Sequence, residues 1–478
     1  MELQQYDRTH LNTLRQLIPE CTVLLKKNGD FPLAEPCKIA AYGCGVRYTV
    51  KGGTGSGEVN SRYFVNVEQG LKEAGFEITT EKWLSSYEDV RVKAREQFIK
   101  DIKARARKKH TSAIMEGMGA VMPEPEYKLP LDGEGDAAIY VLSRISGEGN
   151  DRQVVGGEIK LGETEKRDIL ALNKKYKKFM LVLNVGGPVD LSEVSEVSNI
   201  LILSQLGVDT GTALADILLG KANPSGKLTT TWSAWEDYCT IGEFGNLNDT
   251  RYNEGIYVGY RYFDTVGKKA LYPFGYGLSY TDFAVAADDV AVDGDAVTVK
   301  AAVTNIGKCP GKEVVQVYVS VPSGKRDQPY QMLAGFEKTK ELAPSETEQV
   351  SIAFKLSELA SYDEARSAYI LEPGNYVIRV GSSVDTKVAA VVKLDREALV
   401  KQVRSIGGKP DFKDWRPEQK ATAITGGVPV IPVDASQIPS VVVTYDQPVQ
   451  IDDAIKNLTD SQLAYLNVGS FDPKLNQK

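Results

Sequence analysis

Two glycine-spaced stretches carry side chains able to do chemistry. In SRISGEGNDR (143–152), Glu148 stands between Gly147 and Gly149, just beyond the apolar run Ile139-Tyr140-Val141-Leu142. That run reads as a buried strand. In α/β sheets ligands gather outside the carboxyl ends of the strands, and a carboxylate held there can give or take a proton. On spacing alone, a solvated surface loop explains the same residues equally well. The second stretch, KGGTGSGEVN (51–60), has four glycines in ten positions. It lacks the GxxxxGK[ST] pattern of a phosphate-cradling loop, and no acidic residue follows where a dinucleotide site would want one. It predicts a tight turn that lets backbone or Ser56 approach a ligand. Spacing alone sets no second carboxylate beside Glu148.

Several chemistries drop out on composition. The chain has only two histidines, His10 and His110, which leaves almost no room for histidine-based metal sites or Ser/His/Asp triads. The five cysteines (Cys21, Cys37, Cys44, Cys239, Cys309) are odd in number and lack CxxC spacing. They fit reduced thiols in a cytoplasmic protein better than a disulfide framework. A net charge of −7 gives no reason to expect nucleic acid or an anionic membrane as partner. No apolar run approaches a membrane span, and MELQQYDRTH lacks the features of a signal segment.

The elements that must position these loops follow from periodicity. With 478 residues there is room for two to four domains. Strand patterns at 38–43, 76–79, 137–143, 179–183 and 199–203 alternate with helix patterns around 64–74, 89–110, 163–177 and 214–218. This rhythm predicts a doubly wound, flavodoxin-like α/β-sandwich over residues 11–230. Residues 231–284 are too aromatic for a flexible linker and are expected to pack across a domain surface. Within them EGIYVGYRYFD (254–264) offers Glu254 as a rival acid, while the alternating Tyr260 and Tyr262 read as packing that pins the segment to the sheet. From 285 the period becomes 2, at Val297/Val299/Ala301/Val303, Val315/Val317/Val319, Val350/Ile352/Phe354 and Tyr376/Ile378/Val380. That predicts an antiparallel β-sandwich over 285–395. Prolines and glycine pairs then describe an extended connector over 396–478, in which Thr459 and Gln462 have capping-box spacing.

Seven further stretches, taken with SRISGEGNDR, carry a wider resemblance: VLLKKNGDFPL (23–33), KGGTGSGEVN (51–60), LVLNVGGPVDL (181–191), ADILLGKANPSGKL (215–228), EGIYVGYRYFD (254–264), LYPFGYGLSYTDF (271–283) and VTNIGKCPGKEVVQVYV (303–319). In this order they resemble glycoside hydrolase family 3, the β-glucosidase type, over about residues 15 to 395. The resemblance implies that the second sandwich is a fibronectin type III-like domain. It carries the general acid/base role onto Glu148 and suggests Ser56 as a hydrogen-bond partner of a sugar hydroxyl.

In this family the nucleophile is an aspartate on a TIM barrel. The chain is similar to a permuted subgroup in which that barrel comes last, and 458–471 resembles its lead-in. The resemblance therefore implies a β-glucoside or cello-oligosaccharide substrate, a barrel partner in the continuing chain or on a second one, and no cofactor or metal. It leaves homo-oligomerisation open. A non-catalytic carbohydrate-binding or scaffold fragment and a β-xylosidase of the same family remain as alternatives.

Overall fold

The structure is a computed structural model that describes residues 3–468, apart from 54–56, 119, 146–151, 239–245, 247, 249, 409, 424 and 446–448. Its first layer system is built on six strands: β1 (Val23–Lys26), β2 (Lys38–Tyr42), β3 (Glu77–Ile78), β4 (Ala137–Arg144), β5 (Phe179–Val185) and β6 (Ile200–Ile202). They stand in the order β1-β6-β5-β4-β2-β3, and β2 to β6 run parallel. The near-continuous apolar sequence of β4 and β5 suits this position, since a strand covered on both faces needs no polar alternation. Leu142, Leu181 and Leu183 are fully buried.

Helices α1 (Gln5–Cys21), α2 (Val67–Glu73) and α6 (Thr210–Leu218) pack together on one face. α3 (Glu81–Lys108) and α5 (Glu163–Lys175) belong to the connections that step the other way across the sheet. Parallel crossovers are right-handed, so reversing the step moves the helix to the opposite face. α3 begins at Glu81, eight residues before the helix pattern read at 89–110. Its first turns bury Trp83, Leu84 and Tyr87, and Trp83 stacks flat on Tyr87 with ring centroids 5.4 Å apart. A short helix, α4 (Ala113–Gly117), packs back on α3.

The aromatic stretch that follows lies along β1. Leu278 donates its backbone N–H to Leu24 at 2.8 Å, and Trp232 and Tyr272 exchange backbone bonds of 2.8 and 2.9 Å. Within this stretch Tyr260–Val266 forms a short helix, α7. Glycines with positive φ stop it at both ends, Gly259 at 57° and Gly267 at 68°. The alternating rings still pack, on opposite sides of that helix: Tyr260 stacks on Phe274 and Tyr262 lies against Trp415.

The second sandwich sets β8 (Ala296–Asn305), between β7 (Phe283–Asp293) and β11 (Thr347–Lys355), against a larger sheet. That sheet is formed by β9 (Val314–Ser320), β10 (Met332–Lys338), β14 (Gly374–Gly381) and β15 (Lys387–Leu394). Alternation is strict: Val297, Val299, Ala301 and Val303 are each fully buried. A smaller sheet pairs β12 (Ser361–Asp363), β13 (Ala368–Leu371) and β16 (Ala398–Gln402). Within 396–478 three segments pair: β16 lies antiparallel to β13, β17 (Val430–Val433) runs parallel to β15, and β18 (Val441–Val442) parallel to β16. Helices α8 (Asp453–Lys456) and α9 (Asp460–Val468) follow. In α9 the capping box forms, with Gln462 N–H donating to Thr459 Oγ1 and Thr459 N–H to Gln462 Oε1.

Candidate active site

Strand order fixes where the loops meet. β2 connects onward to β3 on one side, whereas β4 leads to β5 and β6 on the other. The gap between β2 and β4 is therefore the sheet's topological switch point, the place where such sheets bind ligands. Tyr42 at the end of β2 pairs in register with Tyr140 of β4. KGGTGSGEVN follows β2, and SGEG follows β4. Glu148 and Ser56 themselves lie outside the described residues, within 146–151 and 54–56; the chain is described up to Ile145 and from Arg152, and up to Gly53 and from Gly57.

The base of the glycine-rich loop is held from three directions. Asn184, fully buried near the end of β5, accepts from Val50 N–H at 2.6 Å and donates to the Val50 carbonyl at 2.9 Å. Its amide therefore acts on Val50 as a neighbouring strand would. The same side chain accepts from Ser143 Oγ at 2.8 Å and donates to the Ser204 carbonyl at 2.6 Å. Gly207 N–H bonds the Lys51 carbonyl at 2.9 Å. Lys51 Nζ reaches across the loop to the Val59 carbonyl at 2.6 Å and Ser61 Oγ at 2.8 Å, closing its neck. Between β2 and this loop the chain crosses tightly over β4. A Cβ on Gly43 (φ 91°) would fall 2.5 Å from the Val141 carbonyl oxygen, and one on Gly45 2.4 Å from Ser143 Oγ. Only glycine fits these crossings.

At the end of β4 the chain buries charge. The Arg144 and Glu165 side chains are only 4% and 1% exposed and pair at 2.5 Å. Glu165 also accepts from Gly162 N–H at 2.8 Å, capping α5. Nearby, Glu124 accepts from the Tyr87 hydroxyl and faces Arg91 at 3.7 Å. Burial, followed by the Glu165 charge, pushes the Glu124 carboxyl up to about 7. Cys44, at the first turn after β2, is fully enclosed, and burial raises its thiol well above the usual range. A thiol in that state is a small apolar group and a poor nucleophile.

Glu254 occupies different surroundings. Its turn packs on the connector, where Trp415 N–H bonds the Asn253 carbonyl and Gly255 abuts Asp414. Sequence reasoning missed Asn184, Glu124 and Glu165. A lone amide inside an otherwise apolar buried strand was the available signal for the first. The two glutamates sit in ordinary charged stretches and carry no such signal.

With this geometry in view, the comparisons with known proteins become specific. Residues 22–280 match the glycosyl hydrolase family 3 C-terminal domain, and 313–384 a fibronectin type III-like domain. The chain belongs to glycosyl hydrolase family 3. Beta-glucosidase A of Butyrivibrio fibrisolvens is 36% identical over 452 residues, spanning 82% of this chain and 52% of that protein. A beta-glucosidase of Ruminococcus albus is 34% identical, with 82% and 42% covered. Beta-glucosidase 3B of Thermotoga neapolitana, solved with α-D-glucose, superposes with a TM-score of 0.70 at 36% identity, covering 83% of this chain and 55% of its own. The chain spans about half the length of these relatives. The family 3 match takes in both loops and the switch point between them.

Proposed function

We propose that this chain supplies the general acid/base of a retaining β-glucosidase whose nucleophile lies on a (β/α)8 barrel outside it. The observation that carries this reading is the switch point of a family 3 chain from which the SGEG and GGTGSG loops depart on adjacent parallel strands. Glu148 protonates the leaving glycosidic oxygen while a barrel aspartate attacks the anomeric carbon through an oxocarbenium-like transition state. Glu148 then deprotonates the water that releases the sugar with retained configuration. Retaining carboxyl pairs stand about 5–5.5 Å apart, so the loop works against the barrel surface. A carboxyl enclosed near a second carboxylate has its pKa raised, which is what the first step requires of the acid.

Ser56 hydrogen-bonds a hydroxyl of the bound sugar. The substrate is a terminal non-reducing β-D-glucosyl residue of a β-glucoside or cello-oligosaccharide. Residues 11–230 form the domain that carries the acid/base, 285–395 the accessory sandwich, and 396–478 the connector toward the barrel. A cytoplasmic setting accords with Cys21, Cys37, Cys44 and Cys309 all being free thiols.

Reconstitution tests this. The chain alone should leave a chromogenic β-glucoside intact, and adding a family 3 barrel, fused or in trans, should restore hydrolysis with retained anomeric configuration. A purified assembly that binds tightly yet stays inactive would favour a carbohydrate-binding scaffold instead.

A further inference from the structure

The chain on either side of the 146–151 stretch is described, and Arg144 before it and Arg152 after it are tied to one atom. Arg144, the last residue of β4, donates from Nε to the Glu158 carbonyl at 3.2 Å and from Nη2 to Glu165. Arg152 donates from Nη2 to that same Glu158 carbonyl at 2.8 Å, and from Nη1 to the Pro188 carbonyl at 2.7 Å. Two guanidiniums thus converge on a single peptide oxygen, one at the entry to the loop and one at its exit. Arg152 further spans to the loop that follows β5.

The shared oxygen is itself fixed. Glu158 N–H bonds the Val155 carbonyl at 3.2 Å, and Gly157 N–H bonds the Lys160 carbonyl at 2.9 Å. Asp190 N–H bonds the Ile159 carbonyl at 2.8 Å, locking this turn to the segment beyond β5. Gly157 (φ 82°) presses so closely on Glu124 that a Cβ would lie 3.0 Å from its backbone nitrogen. A planar, forked guanidinium can serve two carbonyls from separate loops in fixed directions, which an ammonium cannot do as rigidly. Stabilisation alone is a weak reason to spend buried charge here, since replacing buried ion pairs with apolar groups is often neutral or stabilising.

We infer that Arg152 is the positioning residue for Glu148, fixing the exit of the acid/base loop on the carbonyl that Arg144 uses to fix its entry. This rests on the acid/base reading of Glu148 given above. A general acid must stand within hydrogen-bond reach of the leaving oxygen, and a displacement of about 1 Å can cost about 100-fold in rate. Activated leaving groups depart without a proton, so they are insensitive to that displacement.

The test compares kcat/KM for phenyl and 2,4-dinitrophenyl β-glucosides in the chain assembled with its barrel. Arg152→Ala should lose about 10–100-fold on the phenyl glucoside and less than about 3-fold on the dinitrophenyl one. Arg152→Lys should recover part of the loss, and it keeps the test open where the alanine variant is too unstable. Equal losses on both substrates would make Arg152 a general structural staple and overturn the inference. Glu148→Ala is measured alongside. If that variant shows no leaving-group dependence, the acid/base reading itself fails and takes the inference with it; if it shows the dependence and Arg152→Ala does not, only the positioning role fails.

Discussion

Asn184 and Asn305 are both fully buried asparagines at strand ends, one in each sandwich, and each satisfies its amide completely. The Asn305 oxygen accepts from Thr281 Oγ1 at 2.7 Å and Gly307 N–H at 3.0 Å, while its nitrogen donates to the Cys309 and Leu342 carbonyls at 2.8 Å each. Those partners seal a local turn and the strand-end loops around it. Asn184 makes bonds of the same number and kind, but to Val50, Ser143 and Ser204. Ser143 lies in β4, and Val50 and Ser204 in chain leaving β2 and β6, so three different parallel strands are joined. Chemistry at the two sites is alike; topology is not. The Asn305 amide closes one structure onto itself, whereas the Asn184 amide, at the mouth of a parallel sheet, gathers chain from several strands.

The comparison breaks most visibly by removing each amide. Asn184→Ala and Asn305→Ala should each lose about 2–4 kcal/mol in denaturant unfolding, because each strands several buried donors and acceptors. In the assembled enzyme their effects should part. Asn184→Ala should also raise KM, since the neck of the glycine-rich loop loses its hold on Val50, while Asn305→Ala should leave KM within about 2-fold in the temperature range where it stays folded. Similar KM values for the two variants would remove the distinction.

A smaller effect sharpens it. Beneath the mouth, Glu124 has its carboxyl pushed up to about 7 by burial and the Glu165 charge. In the unfolded chain a glutamate titrates near 4.3. Between those values the folded state holds the proton that the unfolded state has released, so stability falls as pH rises from about 4.3 to about 7 and is level above. Glu124→Gln, which is uncharged throughout, should flatten that slope. At pH 8 it should gain on the order of 1 kcal/mol relative to the parent, and at pH 4 nothing. An unchanged slope in melting experiments across this range would mean that Glu124 is not the buried titrating group of the mouth.

Much of this architecture is legible in the sequence because burial leaves a period. The run IYVL of β4 reads as a strand covered on both faces, and Val297 to Val303 alternate as a half-buried strand must. Local chemistry is less so. Tyr260 and Tyr262 alternate like strand residues, yet they lie in a helix that glycines with positive φ at 259 and 267 bound. α3 begins at Glu81 because Trp83, Leu84 and Tyr87 are buried, Trp83 edge-on to Tyr42 of β2, an arrangement that its basic later half conceals. The site shows the same division. Its two loops announce themselves through glycine spacing. What anchors them comes from residues remote in sequence: Asn184 lies 134 positions from Val50, and Arg144 meets Glu165 across 21. Pairings over such separations are set by strand order, which periodicity does not contain.

The most direct measurement is the leaving-group dependence of Glu148→Ala in the chain assembled with its barrel. kcat/KM should fall by about 100- to 10,000-fold for a phenyl β-glucoside, which needs a proton donor. It should change little for the dinitrophenyl analogue, and azide should speed turnover of the latter by taking the vacated place. Equal losses on both substrates, with no response to azide, would contradict the assignment of Glu148 as the acid/base.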